Sequence, residues 1–557
     1  MWQRFAQVRA LLTSLELRMT HVVAAVGGYA SLTVVNAVLE GVGTLLLVHV
    51  FTGGAAAGAA PLPEVIARVI TAWRGDLRFP GILVPLIVIF SLSLIIRFGL
   101  LAVEGAVSAL LRRRIQEAIF KSYLLGDWAH MREFRVGDAV GTTTQEAIIV
   151  AKYLTSAIST IYFSLGVAVL GVLALSTSVS ISVALGFLGL PLVVLLHRVF
   201  RIQARVSKES AGLRNVFSAD IADRLNGLLQ IHVDANYRFH LDEGLRTQPR
   251  LTRLDMVVGV CQAVIGSSSV LLPLMALAAL FAWTYLLGGL EGGSLSLVAS
   301  VGVLGVRAAN QFMGAVSAFG NLSRLSGSLY PVVAALSIPA APDRREVAEP
   351  VVRVVLSDVS YAFGTRVVID RASLLAERNA PLVLSGRSGQ GKTTLANLMA
   401  GLYFPTAGTV TYVGASGARY ASDTFRARVG FVTQDIYLFR GSLRTNLTAG
   451  RARTDQEIWA ALAEVDADTF VRALGGLDIE SAEAGRSLSG GERRRLGIAR
   501  VLLSGSDILI FDEVTAGLDQ ENKRAVLDVI ARLSAGYIVV VIAHEALSLP
   551  NQTGYHL

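Results

Sequence analysis

A glycine-rich segment at residues 386–394 has the residue types and spacing to hold the phosphates of a nucleotide. Its nine residues are Gly386, Arg387, Ser388, Gly389, Gln390, Gly391, Lys392, Thr393 and Thr394. It follows the apolar run Leu382–Ser385 and precedes the helical pattern Thr393–Leu402, which is the strand–loop–helix context of a P-loop. Glycine lets backbone N–H groups wrap the phosphates, and the helix N-terminus adds its positive dipole end. Lys392 can reach the β- and γ-phosphates, and the Thr393 hydroxyl can bind Mg²⁺.

Two acidic residues end a second apolar run, Ile508–Phe511. A nearly continuous apolar run is typical of a core strand in a parallel sheet. Asp512 at its carboxyl end can bind Mg²⁺, as the second acidic strand does in P-loop enzymes. Glu513 is then placed to orient an attacking water molecule. Taken alone, an apolar run ending in Asp-Glu is also compatible with an exposed strand end.

The five residues 488–492, Leu-Ser-Gly-Gly-Glu, precede the helical pattern Arg493–Leu503. This segment resembles the signature sequence of the ABC transporter family. The resemblance extends over the soluble domain, because a P-loop, a glutamine, the signature, the acidic pair, an aspartate and a histidine follow one another in the family's order. That order is far more specific than any one short motif, each of which also has an ordinary structural explanation.

The resemblance implies roles for further residues. Tyr361 would stack on adenine, and Gln434 would sense Mg²⁺ together with Thr393 and Asp512. His544 would contact the γ-phosphate and share the catalytic role with Glu513. Four residues would act on the ATP held by the opposite subunit: Ser489, Gly490, Gly491 and Asp519. The cofactors implied are ATP and Mg²⁺.

Composition places a membrane part beside this soluble domain. The chain has 557 residues, of which 53% are hydrophobic, and only 17% are charged, against roughly 25% in an ordinary soluble protein. Its mean hydropathy is +0.55. These values exclude disorder and argue against a wholly soluble fold. The single cysteine, Cys261, excludes an internal structural disulfide and a cysteine-rich metal site. We expect no nucleic-acid partner, because the net charge of +8 in a membrane protein more often reports basic cytoplasmic loops.

Six apolar stretches each exceed the ~20 residues that a membrane-spanning helix needs. They lie near residues 21–51, 80–110, 147–175, 179–203, 254–287 and 295–325. Basic residues concentrate between the second and third stretches and between the fourth and fifth, which places those loops and the N-terminus in the cytoplasm. The first external loop, with Arg68, Arg74 and Arg78, is an exception to this rule.

The predicted fold is an α-helical membrane domain of the ABC exporter type, with six transmembrane helices, followed by an α/β P-loop ATPase domain. The predicted boundaries are an amphipathic interfacial helix at 1–20, the membrane domain at 21–330, a linker at 331–350 and the ATP-binding domain at 351–557. By the same resemblance, short coupling helices are expected near Trp128–Glu146 and Asn226–Leu245.

Polar residues within the apolar stretches are candidates for a substrate cavity, because charges inside a membrane usually face the bundle interior. Glu40 lies in the first stretch, and Arg97 and Glu104 lie seven residues apart in the second. The sixth stretch carries a polar stripe at helical spacing, which consists of Arg307, Asn310, Gln311, Gly314, Ser317 and Asn321. Pairing between helices, for example Glu40 with Arg97, is the alternative. A cavity with Arg307 at its wall predicts a polar or anionic substrate.

The sequence thus predicts an ATP-driven half-transporter in the lipid of a bacterial inner membrane, with its ATPase domain in the cytoplasm. Export of a small molecule, a peptide or a lipid is favoured; an importer of siderophores on the same fold and an ATP-gated channel or regulatory membrane protein remain alternatives. One P-loop and one signature per chain require a second half-transporter. We expect a homodimer rather than a heterodimer, because the motif residues Lys392, Ser489, Glu513 and His544 are all intact.

Overall fold

A computed structural model of the chain resolves it into two compact units. One comprises Met1–Leu125 with Phe134–Ile338, and the other Gly126–Glu133 with Pro339–Leu557. The structure describes residues 19–51, 83–131, 136–179, 237–264, 292–325, 328–434, 436–480, 488–543 and 547–557, with scattered residues between 182 and 224 and residue 267.

The first unit is helical. Its helices are α1 (Met19–Phe51), α2 (Leu83–Leu125), α4 (Val136–Gly141), α5 (Ala147–Thr177), α6 (Tyr237–Gly244), α7 (Gly292–Leu325) and α8 (Leu329–Leu336), with a π-helical turn at Thr142–Glu146. Residues 248–264 are also helical. The short helix α3 (Trp128–Met131) lies between α2 and α4 in sequence but belongs to the second unit.

Four of the predicted apolar stretches coincide with α1, α2, α5 and α7. Within the described residues, helical segments at Ala24–His49, Leu83–Leu125 and Ala139–Thr177 are long and apolar enough to cross a membrane. Helix α2 has 43 residues, or about 65 Å at 1.5 Å per residue, and therefore exceeds the ~30 Å hydrocarbon layer. Most of the predicted helix at 1–20, most of the fourth stretch and most of the fifth lie outside the described residues.

Close packing between α5 and α7 depends on glycine. A Cβ atom added at Gly314 would lie 2.4 Å from Cδ1 of Phe163, and one at Gly166 would lie 2.9 Å from the Gln311 side chain. Small residues of this kind let membrane helices approach closely. In the polar stripe, Gly314 therefore serves helix packing.

The second unit is built on two larger sheets. Among its described residues, five parallel strands lie in the order β11-β4-β10-β9-β8, and an antiparallel sheet has the order β3-β2-β5-β6. The strands are β1 (Arg345–Glu346), β2 (Val351–Phe363), β3 (Arg366–Glu377), β4 (Leu382–Ser385), β5 (Ala407–Gly414), β6 (Arg419–Ala421), β7 (Phe425–Arg426), β8 (Val429–Val432), β9 (Ile508–Asp512), β10 (Ile538–Ile542) and β11 (Thr553–His556). Strands β1 and β7 pair separately.

Helices cover the parallel sheet, which explains the sequence of its strands. They are α9 (Lys392–Met399), α10 (Leu443–Thr448), α11 (Asp455–Glu464), α12 (Asp468–Ala473), α13 (Gly490–Leu503) and α14 (Gln520–Leu533). Alternate residues of β9 enter different hydrophobic cores: Leu509 and Phe511 enter one, and Ile508 and Ile510 enter the other. A strand buried on both faces must be apolar throughout.

The strand predicted at Leu382–Ser385 coincides with β4, and β9 extends one residue beyond the predicted run Ile508–Phe511. The segment predicted as a linker is more structured than expected. Helix α8 occupies its start, with Leu329, Val332 and Ala335 buried. Pro331 is tolerated because it lies in the first turn of α8, where its missing N–H has no intrahelical partner.

The segment Gly126–Glu133 completes the second unit from a distant part of the sequence. Gly126 forms an isolated antiparallel bridge with Ala340, and the Asp127 N–H donates to the Pro339 carbonyl at 2.8 Å. Ala129, in α3, packs against a hydrophobic core of this unit. The region predicted to contain a first coupling helix is thus divided into α3, α4 and the π-helical turn, and α6 lies within the second predicted region.

Gly314→Ala should destabilise the helical unit, because the new methyl group would collide with the ring of Phe163. Overpacking of this kind costs about 1–3 kcal/mol. The measurement is the midpoint of thermal unfolding of the purified protein in detergent. Gly171→Ala in α5 is the matched control, since a Cβ atom there meets nothing within 4 Å. Equal midpoints for the two variants would contradict this packing.

Candidate functional site

Parallel strand register brings the nucleotide motifs to one edge of the sheet. Leu384 of β4 pairs with Ile542 of β10, which in turn pairs with Asp512 of β9. The residues that follow this row leave the sheet together at the carboxyl ends of the strands. The P-loop, the acidic pair and the segment that follows Ile542 therefore emerge side by side, where open α/β sheets bind ligands.

The P-loop has the backbone that its glycines predict. Gly391 precedes α9 with φ of 99°, and a Cβ atom there would lie 2.8 Å from Cδ1 of Ile369. Lys392 is 5% exposed, and its ammonium donates to the carbonyls of Gly386 at 2.8 Å and Arg387 at 3.0 Å. These contacts hold Lys392 against the loop that would enclose the phosphates.

A further contact within the loop involves Gln390. Its Oε1 accepts a hydrogen bond from the Arg387 backbone N–H, which braces the loop across its own turn. Ser388 and Gly389 between them are exposed, whereas the Thr394 side chain is buried in α9. The exposed backbone of 387–390 is thus available to a ligand.

Thr393 and Asp512 lie close enough to share a metal ion. The Thr393 hydroxyl donates to Oδ2 of Asp512 at 3.5 Å, although the residues are 119 positions apart in sequence. Mg²⁺ prefers hard oxygen ligands and is usually held by one or two protein groups together with substrate phosphates. A hydroxyl and a carboxylate beside a P-loop fit that requirement.

Glu513 has an unusual backbone conformation. Its φ is 51°, a left-handed value that only a few per cent of non-glycine residues adopt. Its N–H donates to the Ile542 carbonyl at 3.2 Å, which fixes the turn after β9. Strain of this kind is concentrated at functional sites. Here it directs the chain out of the sheet immediately after Asp512.

Glu513 lines a cavity of about 360 Å³, together with Thr515, Gln520, Lys523, Ala543 and Leu547. His544, expected to contact the γ-phosphate, lies outside the described residues, but the cavity includes the described residues on either side of that gap. Gln434 is exposed and follows β8 at the same edge of the sheet. Glu513 thus borders open space at the edge of the sheet near which Gln434 also lies.

The signature residues form the start of α13. Ser489 is the N-cap, and its hydroxyl accepts from the Glu492 N–H at 3.2 Å, while the Glu492 carboxylate accepts from the Ser489 N–H at 2.7 Å. This capping box explains why glutamate serves at the end of the signature. Ser489 and Gly490 are exposed, and a Cβ atom at Gly491 would lie 2.6 Å from Oδ1 of Asn522.

Asp519 caps the next helix, α14. It accepts from the backbone N–H of Asn522 at 2.8 Å and from its side chain at 2.7 Å. These two hydrogen bonds hold the pKa of Asp519 below its usual range. Arg494, which is buried, donates to the Ala516 carbonyl at 2.6 Å and so ties the signature helix to the segment that contains Asp519.

Tyr361 lies in an environment that differs from the sequence-based expectation. It is 8% exposed, and its ring is stacked on Tyr403 with centroids 5.2 Å apart and an interplanar angle of 4°. Phe363 lies two residues later on the same face, at the end of β2, and is only partly buried. It contacts both tyrosines edge-on. Sequence reasoning missed Phe363, although the two-residue repeat of the strand could have indicated it.

The helical unit contains a second candidate site, a cavity of about 510 Å³. Five of the predicted cavity residues lie in its wall, Glu40, Arg97, Arg307, Asn310 and Gln311, whereas Ser317 and Asn321 of the polar stripe are not among its lining residues. Glu104 also lines it, together with four aromatic residues that sequence reasoning did not identify, Tyr29, Phe90, Tyr162 and Phe163. These aromatic residues gave no sequence signal, because a ring within an apolar run does not reveal which way it faces.

Glu40 pairs with Arg307 rather than with Arg97. The Glu40 carboxylate lies 3.5 Å from the Arg307 guanidinium and accepts from the Asn36 amide at 3.0 Å. Asn36 in turn accepts from the Ser93 hydroxyl at 3.0 Å, so the network joins α1, α2 and α7. Because Glu40 offsets the charge of Arg307, Arg307 gives no reason to expect an anionic substrate.

Comparisons with known proteins show similar sequences and a similar fold. The family model described as ABC transporter matches residues 369–516. The chain is 36% identical over 200 residues to the mycobactin import ATP-binding/permease protein IrtB of Mycolicibacterium smegmatis, covering 35% of this chain and 34% of that protein. It is 30% identical over 243 residues to the ATP-dependent lipid A-core flippase of Francisella tularensis, covering 42% of this chain and 40% of the flippase.

The matches to these curated relatives thus span about a third to two fifths of their length. A solved structure of a bacterial Atm1-family ABC exporter with ATP bound superposes with a TM-score of 0.68 at 18% identity and covers 93% of this chain and 91% of the exporter. The fold is therefore that of an ABC exporter, and the matched segment of its C-terminal part is an ABC transporter ATP-binding domain.

Proposed function

We propose that this chain is one half of an ATP-hydrolysing membrane transporter. The observation that carries the proposal is the approach of Thr393 and Asp512 to 3.5 Å, beside a P-loop and Glu513, in a chain with an ABC exporter fold. Phosphoryl transfer to water depends mainly on positioning and on stabilising charge, and these residues supply both.

Each residue has a defined part in this chemistry. Lys392 and the exposed N–H groups of the P-loop bind the phosphates, and Thr393, Asp512 and Gln434 would hold Mg²⁺. When bound, the metal ion neutralises charge on the β- and γ-phosphates. Glu513 orients the attacking water and accepts its proton, and His544 contributes a contact to the γ-phosphate by resemblance to the family.

A second copy of the chain completes the site. Ser489, Gly490, Gly491 and Asp519 act on the ATP held by the opposite subunit, and the exposure of Ser489 and Gly490 supports this role. We favour a homodimer, because most oligomers are symmetric and the chain carries both a P-loop and a signature.

The membrane half carries the transported molecule. We place it in a bacterial inner membrane, surrounded by lipid, with the basic loops and the ATPase domain in the cytoplasm as the positive-inside rule requires. Export is favoured by the whole-chain likeness to an exporter. Import is the second candidate, because the 36% identical relative is a mycobactin importer. Accumulation in inside-out vesicles indicates export, and accumulation in right-side-out vesicles indicates import.

We infer that Phe363, rather than Tyr361, provides the ring that stacks on adenine. One face of Tyr361 is covered by Tyr403, whereas Phe363 is partly exposed at the strand end. The aromatic group formed by Tyr361, Phe363 and Tyr403 would then hold Phe363 in position from behind.

Glu513→Gln should retain ATP binding and lose nearly all hydrolysis. The substitution preserves the size of the side chain but removes the charge that orients water and accepts a proton, a contribution of about 10²–10⁴-fold. Phosphate release and binding of a fluorescent ATP analogue are measured in parallel. Glu464→Gln, at an exposed position on α11, is the control and should behave as wild type. Turnover near the wild-type rate in Glu513→Gln would remove Glu513 from the mechanism.

Phe363→Ala should weaken ATP binding by about tenfold, since stacking of an aromatic side chain on a base contributes about 1–3 kcal/mol. Phe363→Tyr keeps the ring and should retain wild-type affinity. The same titration distinguishes the two aromatic residues when the ring is removed at each, because Tyr361→Leu should weaken ATP binding less than Phe363→Leu. A larger loss of affinity in Tyr361→Leu than in Phe363→Leu would reverse the assignment.

The transporter complex, purified from its own host through one affinity-tagged copy of this chain, should contain two copies of the chain. Native mass spectrometry gives the stoichiometry directly. A different half-transporter present in equal amount would show that the working complex is a heterodimer.

A further inference from the structure

We propose that the cavity of the helical unit binds an amphoteric small molecule, with an anionic group at Arg97 and a cationic group at Glu104. The inference rests on the proposed transport function and names the substrate class of its cavity. Four charged side chains line one cavity. Two of them pair with each other, and two face the open space.

Two of the four charges cancel. Glu40 and Arg307 form the ion pair at 3.5 Å, and Asn36 supports the carboxylate from α1. Arg307 also lies 6.0 Å from the centre of the Phe90 ring. A paired and supported group of this kind contributes structure to the wall and little net charge to a ligand.

Arg97 is the cation that faces the cavity. Its side chain lines the cavity and is exposed. Within the described part of the chain, no hydrogen bond or ion pair engages its guanidinium. A guanidinium presents five N–H donors in a planar fork that matches carboxylate or phosphate. Arg97 is therefore suited to bind the anionic group of a ligand.

Glu104 is the matching anion. One carboxylate oxygen accepts from the neutral Ser159 hydroxyl at 2.6 Å, and no cationic side chain of the described residues forms an ion pair with this carboxylate. The aromatic residues Tyr29 and Tyr162 line the same cavity, and an ammonium group is also attracted to aromatic faces. Glu104 and these rings together suit a cationic group.

The spacing fixes the shape of the ligand. Arg97 and Glu104 are seven residues apart on α2, which is about two turns, so both side chains point to one face with an axial separation of about 10 Å. A cavity of about 510 Å³ lies in the range of small-molecule pockets. The ligand is thus small and polar, with opposite charges near its two ends.

Charge balance explains why a singly charged ligand binds less well. Glu40, Glu104, Arg97 and Arg307 sum to zero, so a net-neutral zwitterion leaves the cavity neutral. A ligand with one charge leaves either Arg97 or Glu104 without a counter-charge and so forgoes one charge-assisted contact. The preference should therefore be for both charges on one molecule.

The test uses the full-length protein in vesicles of phosphatidylglycerol, which contain no zwitterionic lipid. The probes are 8-aminooctanoate, whose charges can lie about 10 Å apart when extended, its N-acetyl derivative, which is only anionic, and its amide, which is only cationic. The readout is the probe concentration that gives half-maximal stimulation of ATP hydrolysis. The zwitterion should act at about tenfold lower concentration than either derivative, as expected for one lost charged contact.

Two variants test which residue binds each charged end of the probe. Arg97→Gln should respond equally to the zwitterion and the amide, because the carboxylate is no longer recognised. Glu104→Gln should respond equally to the zwitterion and the N-acetyl derivative. Arg113→Gln and Glu117→Gln are matched controls, because these residues form an exposed ion pair on the same helix, and both should retain the wild-type preference. A merely structural role for Arg97 or Glu104 would reduce all three responses together.

Three outcomes, each with normal basal hydrolysis, would overturn the inference and leave the proposed function standing. They are no response to any probe, equal responses to all three probes, and a preference for the zwitterion that survives both variants. Absence of ATP hydrolysis in the wild type would instead count against the proposed function.

Discussion

The parallel pairing of β4, β10 and β9 is the constraint on which the nucleotide site depends. It aligns Leu384, Ile542 and Asp512 in one row across the sheet, so that three loops distant in sequence begin at the same edge. The approach of Thr393 to Asp512 follows from that register. A slip of one residue would turn the side chains of a strand to the opposite face of the sheet. Burial of both faces therefore fixes the positions of the site residues as well as the fold.

Charge compensation has the corresponding role in the helical unit. Lipid cannot satisfy a polar group, so charges in spanning helices must find partners within the protein or in an aqueous cavity. The Ser93–Asn36–Glu40–Arg307 network links three helices in this way. Helix contacts through Gly314 and Gly166 bring α5 and α7 together without using charge. Polar pairing and close packing thus act on different parts of α7.

Local sequence was enough to predict two strands of the parallel sheet, the P-loop and several charged and polar residues of the helical cavity, because each depends on spacing within one element. It was not enough where the answer depends on a neighbour distant in sequence. In the sequence, Tyr361 and Phe363 are equivalent candidates, and only the structure shows that Tyr403 covers one face of Tyr361. Likewise, the sequence allows Glu40 to pair with Arg97 or Arg307, and the structure shows that it pairs with Arg307. The start of the predicted linker is helical, because Pro331 is compatible with the first turn of α8.

The bridge between Gly126 and Ala340 has a consequence for how the protein matures. During synthesis, the stretch around Trp128–Met131 is made well before the strands against which Ala129 packs. This part of the ATPase unit therefore cannot complete its folding until the C-terminal strands have been synthesised. An isolated C-terminal fragment that begins at Pro339 would lack this stretch and expose the apolar surface that it covers, so a truncated ATPase is a poor substitute for the intact chain in binding studies.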